Sequence, residues 1–311
     1  MSEPKLHHYV PRFYIRNFVD AKNKLWIYDK ITDRIFRTTP NNIAAENQFY
    51  RLPDPLVGND GPLAIEKALA HLESRVSVLI KRIVSDATNT AMGERIILSD
   101  EEKKLLSEFI SVQCFRTRES RDLLQFIMEN AGIIQSDVKD EDNAMLYFTT
   151  LGNSGLIEEM AESIYQSIWL IAKNASTVPF ITSDHPVCVK SNDSRMWIKG
   201  IEPLRNGSYI VFPISPQLIL YCHEASYWDS LQVFNECVSP VELDEGMVHQ
   251  ENCGQAFAAS RFLMSYSDSF QDVREFIPTI GTDTYAPEDR RNTKEVQHTA
   301  TFNNKRRAKT Q

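Results

Sequence analysis

The sequence has no Cys-x-x-Cys pair. Its five cysteines, Cys114, Cys188, Cys222, Cys237 and Cys253, are odd in number, scattered, and mostly set in apolar stretches. This argues against a disulfide framework and against a cysteine-based zinc site, and points to reduced, partly buried thiols of a cytoplasmic protein. No apolar run approaches the roughly 20 residues that a membrane helix needs, and the N-terminal residues lack the apolar core of a secretory signal. An excess of basic charge is absent too: 34 Lys and Arg stand against 42 Asp and Glu, a net charge of -8. Such a balance disfavours a broad nucleic-acid coat, because phosphate neutralisation needs concentrated cations. The basic clusters are "RTRESR" at 116–121 and "KRR" at 305–307. No P-loop, HExxH, GxSxG or dinucleotide glycine pattern occurs, so no motif assigns a chemistry.

What is present is ordinary globular composition, 42% hydrophobic and 24% charged over 311 residues, enough for a real core. "LWIYDKITDRIFRTTP" at 25–40 alternates like a β-hairpin. After the loop "LPDPLVGNDGP", a helix is predicted from about Pro62 to Ser85. A second is predicted over 99–130, opened by a capping box of Ser99 and Glu102. Further helices are predicted at 155–173 and 240–260, with β-like segments "VPFITSDHPVCVK", "SYIVFPIS" and "QLILYCH" between them and "RFLMSY" after. The fold class is therefore α+β: an N-terminal β-hairpin, a helical middle region at about 62–173, and a C-terminal antiparallel sheet with a packed helix. Residues 1–281 read as a single domain, and 282–311 as a polar tail expected to be poorly ordered.

The informative residues are polar groups on stripes that otherwise face a core. On the 99–130 helix, Gln113, Arg116 and Ser120 continue the face of Leu106, Phe109, Leu123 and Ile127. Burying such groups unpaired costs roughly 1–3 kcal/mol each, so carboxylates or a ligand must answer them. On the 62–85 helix, Glu66 and Glu73 flank the apolar stripe. Glu73, nearer its centre, is a candidate metal ligand, general base or salt-bridge partner of Arg116. Asn252 sits in the middle of the Val248 and Ala256 face of the 240–260 helix, placed to bond backbone or ligand. In "FITSDHP" at 180–186, Asp184 stands at a strand end beside His185. His7 and His8 precede a helix starting near Pro11 in an extended lead-in, so they point to opposite sides and one faces inward.

The opening "HHYVPRFYIRNF" resembles the signature of an uncharacterised bacterial family of unknown function. Its members begin His-His-Tyr-Val-Pro, then an aromatic pair, Arg and Phe. The similarity continues through "LWIYD", the Gln113–Arg116 helix, "TSDHPV", "FPISP" at 212–216 and "ENCGQAFAASRFLMSY", most of residues 6–266. Members often carry Asn at the position of His185, which implies that His185 is dispensable and adds weight to Asp184. The resemblance implies that His7, His8, Gln113, Arg116, Asp184 and Asn252 matter.

Two functional expectations follow. The first is a hydrolase of a phosphodiester or nucleotide, of nuclease type, fitting a toxin or phage-defence effector. His7, His8 and Asp184 would be catalytic, Glu73 and Asp184 would hold Mg²⁺ or Mn²⁺, and Gln113, Arg116 and Asn252 would bind a nucleotide or nucleic-acid substrate. The alternative is a non-catalytic sensor or binding module with a polar pocket for a small anionic ligand or protein partner. A scaffold in which these groups satisfy one another is the third reading, and a pairing of Arg116 with Glu73 would favour it.

Overall fold

The computed structural model describes residues 5–132, 144–145, 147–149, 152, 155–192, 197–198 and 203–280. The fold is mixed α+β. Strand β1 (Leu6–His8) leads into the short helix α1 (Arg12–Ile15), and β2 (Leu25–Asp29) and β3 (Arg34–Thr38) form the expected hairpin. Strand β4 (Ala45–Asn47) returns to pair antiparallel with β1. Helix α2 (Ala64–Asn89) buries Leu72, Val76, Leu79 and Ile83. Helix α3 (Asp100–Phe115) starts at the predicted capping box, with the Glu102 amide on Ser99 Oγ and the Ser99 amide on Glu102 Oε2.

The single helix expected at 99–130 is two. It breaks at Arg116–Thr117, where Thr117 caps α4 (Arg118–Asn130) by accepting the Ser120 amide. The helix expected at 155–173 is also divided, into α5 (Leu156–Tyr165) and strand β5 (Ile168–Lys173). Strands β6 (Thr182–Ser183), β7 (Cys188–Lys190), β8 (Trp197–Ile198), β9 (Tyr209–Ser215), β10 (Leu218–His223) and β11 (Cys237–Val238) follow, then α6 (Glu245–Ala258), β12 (Phe262–Ser265) and α7 (Gln271–Ile280). The polar tail expected from 282 lies outside the described residues.

Two larger sheets organise the chain: β11-β5-β10-β9-β7-β8 and β3-β2-β12-β6. All seven residues of β9 are buried, because both faces of the larger sheet are covered. Ile210, Phe212 and Ile214 pack with α2 and α3, while Tyr209 and Val211 pack with α6 and α7. Helix α6 runs through the interior, and a Cβ at Gly254 would lie 2.0 Å from the Trp197 ring. The C-terminal carbonyls of α6 meet buried Lys30, which donates to Ala256 O at 3.2 Å and to Ala259 O. A cation there is favoured by the helix dipole.

Candidate functional site

The alternation of β1 divides the opening histidines as expected. His7 is fully buried and His8 half-buried. The Tyr50 amide donates to His7 Nδ1 at 3.0 Å, so the ring proton sits on Nε2. Glu66 Oε2 lies 3.9 Å from the same Nδ1, too far for a hydrogen bond and acceptor facing acceptor. Burial holds the Glu66 carboxyl above the usual carboxylate range. His8 Nε2 lies 3.2 Å from Asn41 O, and burial, then the charge of Arg12, pull this imidazole below its ordinary range.

Arg116 closes α3 with a 4% exposed guanidinium. Its Nη1 donates to Glu73 Oε1 at 2.8 Å, Nη2 to the His8 carbonyl at 2.8 Å, and Nε to Tyr50 Oη at 3.2 Å. Tyr50 Oη in turn donates to the Arg116 carbonyl at 2.7 Å. The expected substrate clamp is thus a joint that ties β1, α2 and the α3–α4 break together. Gln113 belongs to the same joint through Nε2 on the Tyr9 carbonyl at 3.0 Å, and its buried Oε1 has no partner among the described residues.

Asp184 and Asn252 are engaged in the same way. Asp184 accepts the backbone amides of Ser260 (2.9 Å), Arg261 (2.8 Å) and Phe262 (2.9 Å), where the chain leaves α6. Burial pushes its carboxyl up to about 6, against the pull of those amides and of the Lys30 charge. Asn252, expected to position substrate, accepts the Ile181 amide at 3.0 Å and donates to the Pro179 carbonyl at 2.9 Å, both buried. Gln255, one turn on, donates to the Pro186 carbonyl at 2.9 Å and accepts from Ser183 Oγ. Helix α6 therefore reads the backbone of 179–186, and that loop reads back through Asp184. The expected metal ligands do not meet: Glu73 serves Arg116, and Asp184 serves three amides. Among the described residues no group of three or more His, Cys, Asp or Glu is placed to hold a metal ion.

Tyr9, Arg118 and Arg261 are not among the site residues that the sequence marks. Tyr9 is 4% exposed, and its hydroxyl has no protein hydrogen-bond partner among the described residues. Burial, then the charges of Asp184 and Glu46, hold it a neutral phenol, and Arg118 opposes them. Arg261 is held charged by its hydrogen bond to Asp29, then by the charges of Asp29 and Asp184, with the Tyr9 phenol in electrostatic reach. Both arginines are half-exposed and ion-paired. Arg118 Nε meets Asp122 Oδ1 at 3.0 Å and Nη1 meets Glu46 Oε2 at 3.4 Å, while Arg261 Nη2 donates to Asp29 Oδ2 at 2.7 Å. Ser260 Oγ donates to buried Glu119 Oε2 at 3.0 Å, and His185 Nδ1 lies 2.6 Å from Thr117 Oγ1. Segments 7–9, 116–119, 182–185 and 259–261 carry these groups, and the polar surface they share near Tyr9 is termed the mouth. The available signal was alternation: Tyr9 shares the inward side of β1 with His7.

Fold and site together define an α+β protein whose buried polar framework supports a phenol and two half-exposed guanidinium groups. The chain belongs to the family described as protein of unknown function (DUF4238), whose model matches residues 6–269. No curated protein and no solved structure matches the chain.

Proposed function

We propose that the chain is a binding module for a small anionic ligand of the phosphate-bearing class, taken up at the mouth over Tyr9. The observation that carries this reading is the Tyr9 hydroxyl, a donor with no protein partner among the described residues, flanked by Arg118 and Arg261. A phenol O–H and two guanidinium groups are the donors that a phosphate oxygen set uses. Arg116 does not take part, because its buried guanidinium is committed to Glu73, the His8 carbonyl and Tyr50. Cytoplasmic placement is part of the same proposal and fits the five buried cysteines, none of them in a disulfide among the described residues. Among the described residues no helix is long and apolar enough to cross a membrane.

A hydrolase acting on such a ligand, a phosphodiesterase or nuclease in a toxin or phage-defence setting, is the second reading. The half-buried His8 favours it, as an imidazole that burial and the Arg12 charge keep below its ordinary range and so able to take a proton. One experiment separates the two. Protein is incubated with plasmid, RNA and nucleotides with Mg²⁺, with Mn²⁺ and with EDTA, and melting is followed with and without pyrophosphate. The binding module raises its melting temperature with pyrophosphate and turns nothing over. Cleavage that His8→Ala abolishes would instead establish the hydrolase, and neither shift nor cleavage would remove both readings.

A further inference from the structure

Beside the mouth lies a groove of about 600 Å³ whose walls include Asp29, Thr32, Asp33, Arg34, Phe36 and Arg261. Arg261 is common to both, with its guanidinium edge toward Asp29 and the Tyr9 phenol within its electrostatic reach. Register explains the groove floor. Phe262 pairs with Asp29, and Asp29 with Arg34, so the three share one face of the smaller sheet. Phe36, two residues along β3, lies on that face as well and meets Phe262 edge to face at 6.5 Å. The Arg261 guanidinium sits over the Phe262 ring at 4.8 Å. Phe36 is 39% exposed on a strand that ends its sheet. An aromatic ring left open on a sheet edge invites aggregation and needs a reason.

We infer that the ligand is a nucleoside phosphate: its phosphate lies at Tyr9, Arg118 and Arg261, and its base in the groove against Phe36 and the Arg261 plane. This rests on the reading of the mouth as an anion site. The volume lies within the roughly 300–1,000 Å³ usual for small-ligand sites. Aromatic rings and guanidinium planes are the surfaces on which flat bases stack. Asp33 and Thr32 at the hairpin turn bring hydrogen-bonding groups to one end of the groove, where the edge of a base would reach.

The test is calorimetric titration of the full chain with AMP, GMP, CMP and UMP, with ribose 5-phosphate and pyrophosphate as base-free probes. At least one nucleotide is expected to bind about tenfold more tightly than ribose 5-phosphate, in line with one stacked base. Phe36→Ala, a substitution at an exposed ring, is expected to erase that margin while leaving ribose 5-phosphate affinity unchanged. Equal affinity for ribose 5-phosphate and all four nucleotides overturns the base subsite and leaves the anion site standing. Binding of none of the probes overturns both.

Discussion

Arg116 shows why burial, rather than residue type, decides a role. Its side chain makes three hydrogen bonds, to Glu73, to the His8 carbonyl and to Tyr50, and its 4% exposure leaves nothing for a substrate. The sequence stripe correctly marked it as a buried cation, but spacing along one helix cannot say whether the answering group is a neighbour or a ligand. Arg116→Ala leaves Glu73 without its counter-ion and is expected to lower unfolding free energy by about 3–5 kcal/mol in urea denaturation; a loss under about 1 kcal/mol would mean the joint is not structural. Asp122 carries a pH signature. Burial pushes it up to about 6, against the opposing charge of Arg118. A carboxyl raised on folding stabilises the protein below its unfolded pKa, and that stability is lost as pH rises through the folded value. Asp122→Asn should therefore exceed wild-type stability at pH 7.5 by about 1–2 kcal/mol, allowing for solvent screening, with the gap closing by pH 4. Parallel stability curves across that range would contradict the assignment.

Element boundaries were legible where a local signal exists. The Ser99–Glu102 box and the β2–β3 hairpin lie where the residues placed them. The break at Thr117 was missed because the apolar period of Leu106 and Phe109 carries on through Leu123, while the cap that starts α4 is a single hydroxyl. The strand β5 was taken for helix because a short apolar run such as "IWLIAK" has no period of its own once both sheet faces are buried. Helix α6 offers the sharpest check on packing. Gly254→Ala gains about 1 kcal/mol of helix propensity, but the added Cβ would lie 2.0 Å from Trp197. The variant should lose about 1–3 kcal/mol net and show altered tryptophan fluorescence. Unchanged stability and an unchanged spectrum would mean that the ring does not rest on the helix.

At the scale of the whole molecule, the α+β layout followed from the order of periodic segments, whereas the mouth did not. Its parts, from Tyr9 to Arg261, are brought together only by the pairing of β1 with β4, the break after α3, and the exchange of hydrogen bonds between α6 and the 179–186 loop. Nothing along the chain announces such a meeting. The stripes did mark Gln113, Arg116 and Asn252, and these build the framework that holds the mouth in place rather than the mouth itself. A net charge of -8 makes this local pair of half-exposed arginines the more telling, because any affinity for an anion must come from placement and not from overall charge. The most direct measurement is the dissociation constant of pyrophosphate, by calorimetry, for wild-type chain, Arg118→Ala and Tyr9→Phe, with melting temperatures taken on the same samples. Binding to wild type, weakened about tenfold or more by Arg118→Ala and several-fold by Tyr9→Phe while melting in the absence of ligand stays put, is the outcome expected of charge-assisted contacts. No binding, or affinity indifferent to both substitutions, would contradict it.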